Sequence, residues 1–196
     1  QMTSKKTDNG HLGAKLELRR FFLNKYHATE PIRVFEACQG SGVIWSALEK
    51  EFKIESRWGF DVKPKAGRLK IESQRVLAQA GMTENVIDVD TYGNPFAHWL
   101  SLLPNVARPT TVFLTIGQVS FAGSPLHHEA RDALGIGTLK IPNAIGMKLN
   151  SFAITYLLAA ALNYARIAEA VEAVSDGSAR YIGCHLVPKV NEPMNS

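Results

Sequence analysis

The chain has 196 residues, of which 45% are hydrophobic and 20% charged, and it carries a formal net charge of +4. This composition is typical of a globular protein with one sizeable core, so it excludes a mainly disordered or fibrous chain. Cys38 and Cys184 lie far apart in the sequence and neither belongs to a CxxC pair, which favours a reducing, cytoplasmic setting without disulfides. No stretch reaches the ~20 apolar residues that a membrane span requires, so we expect no membrane partner.

Strand and helix signals alternate along most of the chain. The patterns predict helices at 12–26, 43–52, 74–80 and 96–103, and strands at 33–36, 56–61, 68–71, 85–90 and 110–116. From residue 144 the pattern favours a helix to about 174, with a break near Asn163, and then a last strand at 181–187. This alternation predicts an α/β fold with a single doubly wound, mostly parallel sheet and helices on both faces.

The same pattern predicts a single domain at 11–188, between a flexible N-terminal tail at 1–10 and a C-terminal tail at 189–196. Within it, residues 118–143 are rich in Gly, Pro and His and predict a long substrate loop or lid. We expect no separate target-recognition domain within these 196 residues. Strong, specific targeting would need a homodimer, a partner subunit or a small exposed target.

Glycines follow the first predicted strand, in the segment Glu36-Ala37-Cys38-Gln39-Gly40-Ser41-Gly42. Glycines at a strand-to-helix turn let the backbone approach a ligand closely, although a tight turn without a ligand has the same pattern. Asp61 ends the second predicted strand 19 residues after Gly42, close to the ~20 residues at which an acid binds ribose hydroxyls. The glycine turn and Asp61 together predict a nucleoside-binding site. NAD is disfavoured as its ligand, because Trp45 stands where a GxGxxG pattern has its last glycine.

The order of these motifs resembles that of class I, Rossmann-like S-adenosylmethionine-dependent methyltransferases, over roughly residues 33–118. The resemblance implies S-adenosyl-L-methionine as the cofactor. It implies that Glu36 and the turn Gly40-Ser41-Gly42 hold the methionine portion, and that Asp61 binds the ribose. Glu72 and Ser73, after the third predicted strand, are then expected to contact the adenine.

The fourth predicted strand leads into the segment Ile87-Asp88-Val89-Asp90-Thr91-Tyr92-Gly93-Asn94-Pro95. This segment resembles the IDxDP(F/Y)GxP signature of tRNA guanine-N2 methyltransferases, with Thr91 in place of the proline. An exocyclic amine needs an acceptor that orients it and an aromatic ring on which an extruded base can stack. The resemblance therefore implies Asp90 as the catalytic acceptor, Tyr92 as the stacking platform, and substrate contacts from Asn94 and Pro95. In the alternative interpretation, Asp90 caps the following helix and Tyr92 is a packing residue.

Asp88 and Gln118 have two interpretations each. Asp88 shares a strand face with Asp90, so crowding of the two carboxylates would raise a pKa and favour proton acceptance, unless Asp88 is purely structural. Gln118, after the fifth predicted strand, either contacts substrate or only reflects loop polarity.

The sequence also contains two groups of basic residues and a pair of adjacent histidines. The basic residues could form a phosphate-facing rim, or they could be part of an ordinary solvated surface. They are Lys15, Arg19, Arg20, Lys25, Lys63, Lys65, Arg68 and Lys70. His127 and His128 are adjacent and lack a third ligand at suitable spacing, so no metal site is predicted. Cys38 is interpreted as a small packing residue rather than a nucleophile.

Together these patterns predict an enzyme that transfers a methyl group to a nitrogen of a nucleic-acid base in RNA or DNA. One alternative is a small-molecule methyltransferase in which residues 118–143 close as a lid. Another is a noncatalytic cofactor-binding or interaction subunit, which the departure at Thr91 favours.

Overall fold

The computed structural model describes residues 11–61, 71–91, 93–117, 137–139, 149–173 and 179–189. The helices in these ranges are α1 (Leu12–Tyr26), α2 (Val43–Leu48), α3 (Ser73–Leu77), α4 (Phe96–Leu102) and α5 (Leu149–Ala161). The strands are β1 (Ile32–Glu36), β2 (Ile54–Gly59), β3 (Val86–Val89), β4 (Thr110–Ile116), β5 (Ala165–Ala173) and β6 (Arg180–Pro188). None of these helices is long and apolar enough to cross a membrane.

The strands form one sheet in the order β2-β1-β3-β4-β6-β5. β2, β1, β3 and β4 run parallel, whereas β6 is antiparallel to β4 and β5 is antiparallel to β6. The sheet is therefore mixed rather than purely parallel. Because β2, β1 and β3 are parallel neighbours, their carboxyl ends lie at one edge, where the predicted motif residues follow them.

Helices pack on both faces of the described sheet. Val34 of β1 and Phe113 of β4 pack in the cluster that contains the buried side chains of α1 and α2. Phe35 and Val112, one position away, pack in the cluster that contains Trp99 of α4 and apolar residues of α3 and α5. This alternation follows from the two-residue period of a strand and explains why β4 is buried along its whole length.

Helix α1 has the predicted bounds and packs closely against the sheet. Leu18, Phe22 and Leu23 are buried on its inner side. At Gly183 of β6, an added Cβ would lie 2.4 Å from the ring of Phe22, so the absence of a side chain there allows the helix to approach. α1 runs back along the sheet, which brings its first turns to the edge where β1 and β3 end.

The predicted helix from residue 144 to about 174 is wrong in its second half, because Ala165–Ala173 forms strand β5. Burial alternates residue by residue along this strand, and it pairs with β6 from Ala165↔Pro188 to Ala173↔Tyr181. A register shift between Ile167 and Glu169 changes which face of the sheet the side chains of β5 point to. Ile167 therefore packs in the cluster that contains Trp99 of α4, and Val171 in the cluster that contains Phe22 of α1.

Smaller differences concern element ends. The helices predicted at 43–52 and 74–80 end earlier, at Leu48 and Leu77, and the second strand ends at Gly59, two residues before Asp61. The strand predicted at 68–71 lies outside the described residues except for Ile71, and so does the predicted loop at 118–143 except for 137–139. The predicted terminal tails also lie outside them, apart from Lys189.

Candidate functional site

The turn after β1 has the backbone conformation that its glycines permit. Gly40 and Gly42 have φ angles of +52° and +69°, a left-handed region that residues with a Cβ rarely adopt. The Gly42 N–H donates to the Gln39 carbonyl at 2.8 Å, and the Gln39 N–H donates to the Phe60 carbonyl at 3.0 Å. The turn is thereby held against the end of β2, with Gly40 and Ser41 exposed.

Asp61 contacts this turn directly. The Gly40 N–H donates to the Asp61 carboxylate at 2.8 Å, across 21 positions of sequence. Asp61 is half-buried and lies just beyond the carboxyl end of β2. The structure therefore brings together the glycine turn and the acid that the sequence predicts as a nucleoside-binding pair.

Glu36, at the end of β1, is buried against Arg57 of β2. The Arg57 Nε donates to a Glu36 carboxylate oxygen at 2.6 Å, and the same guanidinium donates to the Gly42 carbonyl at 2.9 Å and to Glu49 at 2.9 Å. Burial raises the pKa of Glu36, and the nearby Arg57 charge works against this. The sequence analysis did not single out Arg57. The only sequence signal for it is that a charged residue lies inside β2, while the preceding strand β1 ends in the acid Glu36. Arg57 therefore stabilises the glycine turn by linking the Gly42 carbonyl to the Glu36 carboxylate.

Asp88 is a structural residue, which resolves its two interpretations. Arg19 of α1 donates to both of its carboxylate oxygens, at 2.7 and 2.9 Å, and the indole of Trp45 donates at 2.6 Å. Its side chain is only 3% exposed. These hydrogen bonds join α1 and α2 to β3 and leave Asp88 inaccessible to a substrate.

Asp90 has a different environment from Asp88. The ammonium of Lys15 donates to its two carboxylate oxygens at 2.7 and 2.8 Å, and the Asp90 side chain is 24% exposed. Burial by itself would raise the pKa of Asp90, but the charges of Lys15 and Arg19 outweigh it, so the pKa is lowered. The expectation that carboxylate crowding raises a pKa is therefore wrong at Asp90, because α1 supplies a cation to each carboxylate.

The residues after Asp90 connect the motif to α4 and β4. The Thr91 hydroxyl, at the position of the family's proline, donates to the Thr115 carbonyl at 3.1 Å. The Asn94 side-chain oxygen accepts from the Phe96 N–H at 3.3 Å, and α4 begins with Pro95 as its N-cap. Asp90 therefore does not cap this helix. Two predicted site residues, Tyr92 and Gln118, lie outside the described residues.

The predicted adenine contacts, Glu72 and Ser73, have unequal surroundings. Ser73 is buried with its hydroxyl 3.0 Å from Nε2 of His98, and the Cys38 sulfur lies 3.9 Å from the same nitrogen. Glu72 is exposed and pairs with Arg75. Burial raises the pKa of the Cys38 thiol to about 12, in keeping with a packing role. Ser73 thus connects to the glycine turn, through a histidine on α4 that sequence reasoning missed.

Among the α1 cations, Lys15 and Arg19 are buried and so belong to neither a phosphate-facing rim nor a solvated surface, whereas Arg20 and Lys25 are partly exposed. Each of the four pairs with a carboxylate. The pairs are Lys15 with Asp90, Arg19 with Asp88, Arg20 with Glu17 and Glu51, and Lys25 with Glu169. The other four rim candidates, at positions 63–70, lie outside the described residues, as do His127 and His128. Across the described ranges, no cluster of His, Cys, Asp and Glu is arranged to hold a metal ion.

The mixed six-stranded sheet with its helices is the fold of Rossmann-like methyltransferases of known structure. No protein-family model matches the chain, and no curated protein matches it significantly. The likeness is therefore one of fold.

Three solved structures illustrate this likeness. Trm1 from Pyrococcus horikoshii with S-adenosyl-L-methionine is 17% identical, with a TM-score of 0.58 over 90% of this chain and 54% of that one. The N-methyltransferase NodS from Bradyrhizobium japonicum WM9 with S-adenosyl-L-homocysteine is 12% identical, with a TM-score of 0.51 over 91% and 87%. Magnesium protoporphyrin IX methyltransferase from Synechocystis PCC 6803 with bound SAH is 16% identical, with a TM-score of 0.51 over 92% and 84%. This chain spans about half the length of the Trm1 chain.

Proposed function

We propose that the protein is an S-adenosylmethionine-dependent methyltransferase that acts on nitrogen. The observation that carries this proposal is the hydrogen bond between Gly40 and Asp61, which joins the glycine turn of β1 to the acid after β2. The next strand of the sheet, β3, leads into Asp90 at the same edge. Structures of the same fold that hold S-adenosylmethionine or its demethylated product add support.

The residues present fit this cofactor. The exposed backbone of Gly40 and Ser41 has the open surface that a methionine portion needs, and Asp61 supplies the acceptor for ribose hydroxyls. Glu36, buried against Arg57, acts here by holding the turn in shape. Ser73, and Glu72 at the start of α3, are the proposed adenine side of the site.

Methyl transfer to nitrogen depends mainly on positioning. When bound, S-adenosylmethionine supplies an activated methyl group, whose carbon–sulfur bond breaks as the carbon–nitrogen bond forms. Asp90 accepts a hydrogen bond from the substrate N–H and so directs the nitrogen lone pair. Asn94 and Pro95 shape the start of α4 beside the substrate, and Tyr92 and Gln118 are its further proposed contacts.

The proposed substrate is a nitrogen on a nucleic-acid base. Support comes from the resemblance of residues 87–95 to the signature of guanine-N2 methyltransferases, including an acid that is accessible in the structure. A small-molecule substrate is the second candidate. It is favoured by the pairing of the α1 cations with carboxylates, which leaves that helix without a free basic row for phosphates.

Transfer of tritiated methyl groups from S-adenosylmethionine to total RNA, DNA and a metabolite extract tests this proposal. The wild type is expected to label RNA or DNA, and Asp90→Asn to lower the rate by about 100-fold or more. Glu55→Gln is the matched control and should label at the wild-type rate, since it changes an exposed carboxylate of β2 that pairs with Arg33 of β1. Circular dichroism checks that each variant is folded.

The fraction that carries the label distinguishes the candidate functions. Label confined to the metabolite fraction would refute the nucleic-acid substrate and favour the small-molecule candidate. An absence of label in every fraction, from a protein that binds the cofactor, would favour a noncatalytic cofactor-binding subunit. Equal labelling by wild type and Asp90→Asn would remove Asp90 from the reaction.

A further inference from the structure

The ion pair between Lys15 and Asp90 is asymmetric in its exposure. The Lys15 side chain is 9% exposed and the Asp90 side chain 24%, so the carboxylate, not the ammonium, is the partner that faces outward. A cation that blocked the site would be expected to be the more exposed member. The lysine instead lies behind the acid.

The position of Lys15 is fixed by its packing. Its ammonium lies 5.1 Å from the centroid of the Tyr181 ring, and its backbone carbonyl accepts a hydrogen bond from Arg19 at 2.9 Å. Arg19 is itself held by Asp88. The first two turns of α1 are thus attached to the end of β3 by consecutive cations spaced four residues apart.

The carboxylate of Asp90 keeps capacity for a further hydrogen bond. An ionised carboxyl group has about four acceptor positions; the Lys15 ammonium uses one on each oxygen and the Thr115 hydroxyl uses another, which leaves about one. Asp90 itself lies just after β3, at the edge where the sequence motif predicts a substrate.

The charged and titratable groups around Asp90 come from every neighbouring element. Lys15 and Arg19 of α1 and the Thr115 hydroxyl of β4 act on Asp90 directly. Cys38, after β1, also lies near Asp90, whereas Asp88 of β3 and Glu36 of β1 interact with Arg19. Asp88 is neutralised by Arg19, and Glu36 by Arg57. Lys15 is therefore the cation in direct contact with Asp90, and Arg19 adds a smaller effect.

We propose that Lys15 is a positioning residue for substrate, which holds Asp90 as an oriented carboxylate that binds the substrate N–H without taking its proton. The inference rests on the proposed function and makes α1 part of the substrate site. In the transfer step, the carbon–nitrogen bond forms and the carbon–sulfur bond breaks with its electron pair going to sulfur. The proton then leaves the methylated nitrogen for water, and Asp90 stays ionised throughout.

The test compares the wild type with three variants over a range of pH. Lys15→Met removes the charge at similar length, Lys15→Arg retains it, and Lys25→Met removes a different α1 lysine, half exposed and paired with Glu169, as the control. The ionisation of Asp90 is followed by carboxyl carbon-13 NMR, and the methyl-transfer rate with total RNA as the probe.

In the wild type, Lys15→Arg and Lys25→Met, the Asp90 carboxylate is expected to stay ionised to below pH 4, with a flat rate from pH 5 to 8. In Lys15→Met, loss of the cation should move the Asp90 titration upward by about one pH unit or more. The rate should gain an acid limb and fall by up to about two-fold at pH 5, because a carboxylate whose pKa lies near that pH is about half protonated there.

Several outcomes would overturn the inference. They are an unchanged Asp90 titration in Lys15→Met, a faster reaction in that variant, or a wild-type Asp90 that titrates above pH 4. The last measurement decides the matter even where Lys15→Met does not fold. If no protein labels RNA but the NMR titrations behave as expected, the proposed substrate fails while the role of Lys15 toward Asp90 stands.

Discussion

Two buried histidines share a threonine hydroxyl near the beginning of β4. Nε2 of His27 lies 2.8 Å from the Thr111 hydroxyl, which lies 2.9 Å from Nδ1 of His185. A hydroxyl has one proton and two acceptor lone pairs, so it donates to at most one of the two rings and at least one ring donates its N–H to it. Tyr26 stacks on His185 with ring centroids 3.8 Å apart. These rings are part of the packing between the end of α1 and the sheet.

The buried histidine pair predicts a loss of stability in mild acid. Burial lowers the pKa of His27 and of His185 to about 4, whereas an unfolded histidine titrates near 6.5. Below pH ~6.5 the unfolded state binds more protons, so the free energy of unfolding falls as the pH decreases toward ~4 and is fully present above ~6.5. The loss amounts to at most about 3 kcal/mol for each histidine.

Urea unfolding between pH 5 and 7.5 measures this effect, above the range where carboxylates protonate. The double variant His27→Gln/His185→Gln should have a nearly flat profile over that window. A wild-type stability that does not change between pH 5 and 6.5 would contradict this interpretation of the pair.

The individual site residues differ in how well the sequence predicts them. Gly40, Gly42 and Asp61 belong to a motif with a fixed order and spacing, so their proximity could be predicted and is observed. Lys15 reaches Asp90 across 75 positions and Arg57 reaches Glu36 across 21. No spacing rule encodes these ion pairs, because they depend on how helices and strands pack in space. The same packing explains why Asp90 has a lowered pKa instead of the expected raised one.

At the scale of elements, the contact between α1 and β6 places Lys15 at the sheet edge. Gly183→Ala would put a Cβ 2.4 Å from a fully buried ring atom of Phe22 and is expected to destabilise the fold by about 1 to 3 kcal/mol. The variant Gly13→Ala is the matched control, because an added Cβ there meets no atom within 4 Å and the position is helical. It should stabilise the protein by about 0.5 to 1 kcal/mol.

Thermal and urea unfolding of the two alanine variants measure these opposite effects. If Gly183→Ala unfolds at the wild-type urea concentration, α1 does not pack on β6 as described. A destabilised Gly13→Ala would instead show that the beginning of α1 is not helical.

Elements with a strong local pattern were predictable. The bounds of α1 and β4 agree with the sequence prediction, because α1 places apolar residues on one helix face and β4 is a nearly continuous run of β-branched and apolar residues. β5 was not, since Ala and Glu favour helices locally while its strand conformation depends on pairing with β6, which follows later in the chain. The doubly wound chain path stays a prediction, and the sheet itself is mixed.

At the scale of the whole molecule, the order of the strands, rather than the net charge, determines where the candidate site lies. The net charge of +4 does not produce an unpaired basic face on α1, because its cations form ion pairs with carboxylates of the same chain. Parallel strands β2, β1 and β3 instead place Asp61, the glycine turn and Asp90 at one edge of one sheet. A cofactor after β1 and β2 and a substrate after β3 would then lie side by side, as direct methyl transfer requires.

The central claim is tested most directly by calorimetric titration of the purified protein with S-adenosylmethionine. The wild type and Glu55→Ala, the control on an exposed carboxylate of β2, are expected to bind with the same affinity. Asp61→Ala should have no detectable binding, because it removes both the ribose acceptor and the contact with Gly40. A wild type that gives no binding heat, or an Asp61→Ala variant that binds as tightly as the wild type, would contradict the account.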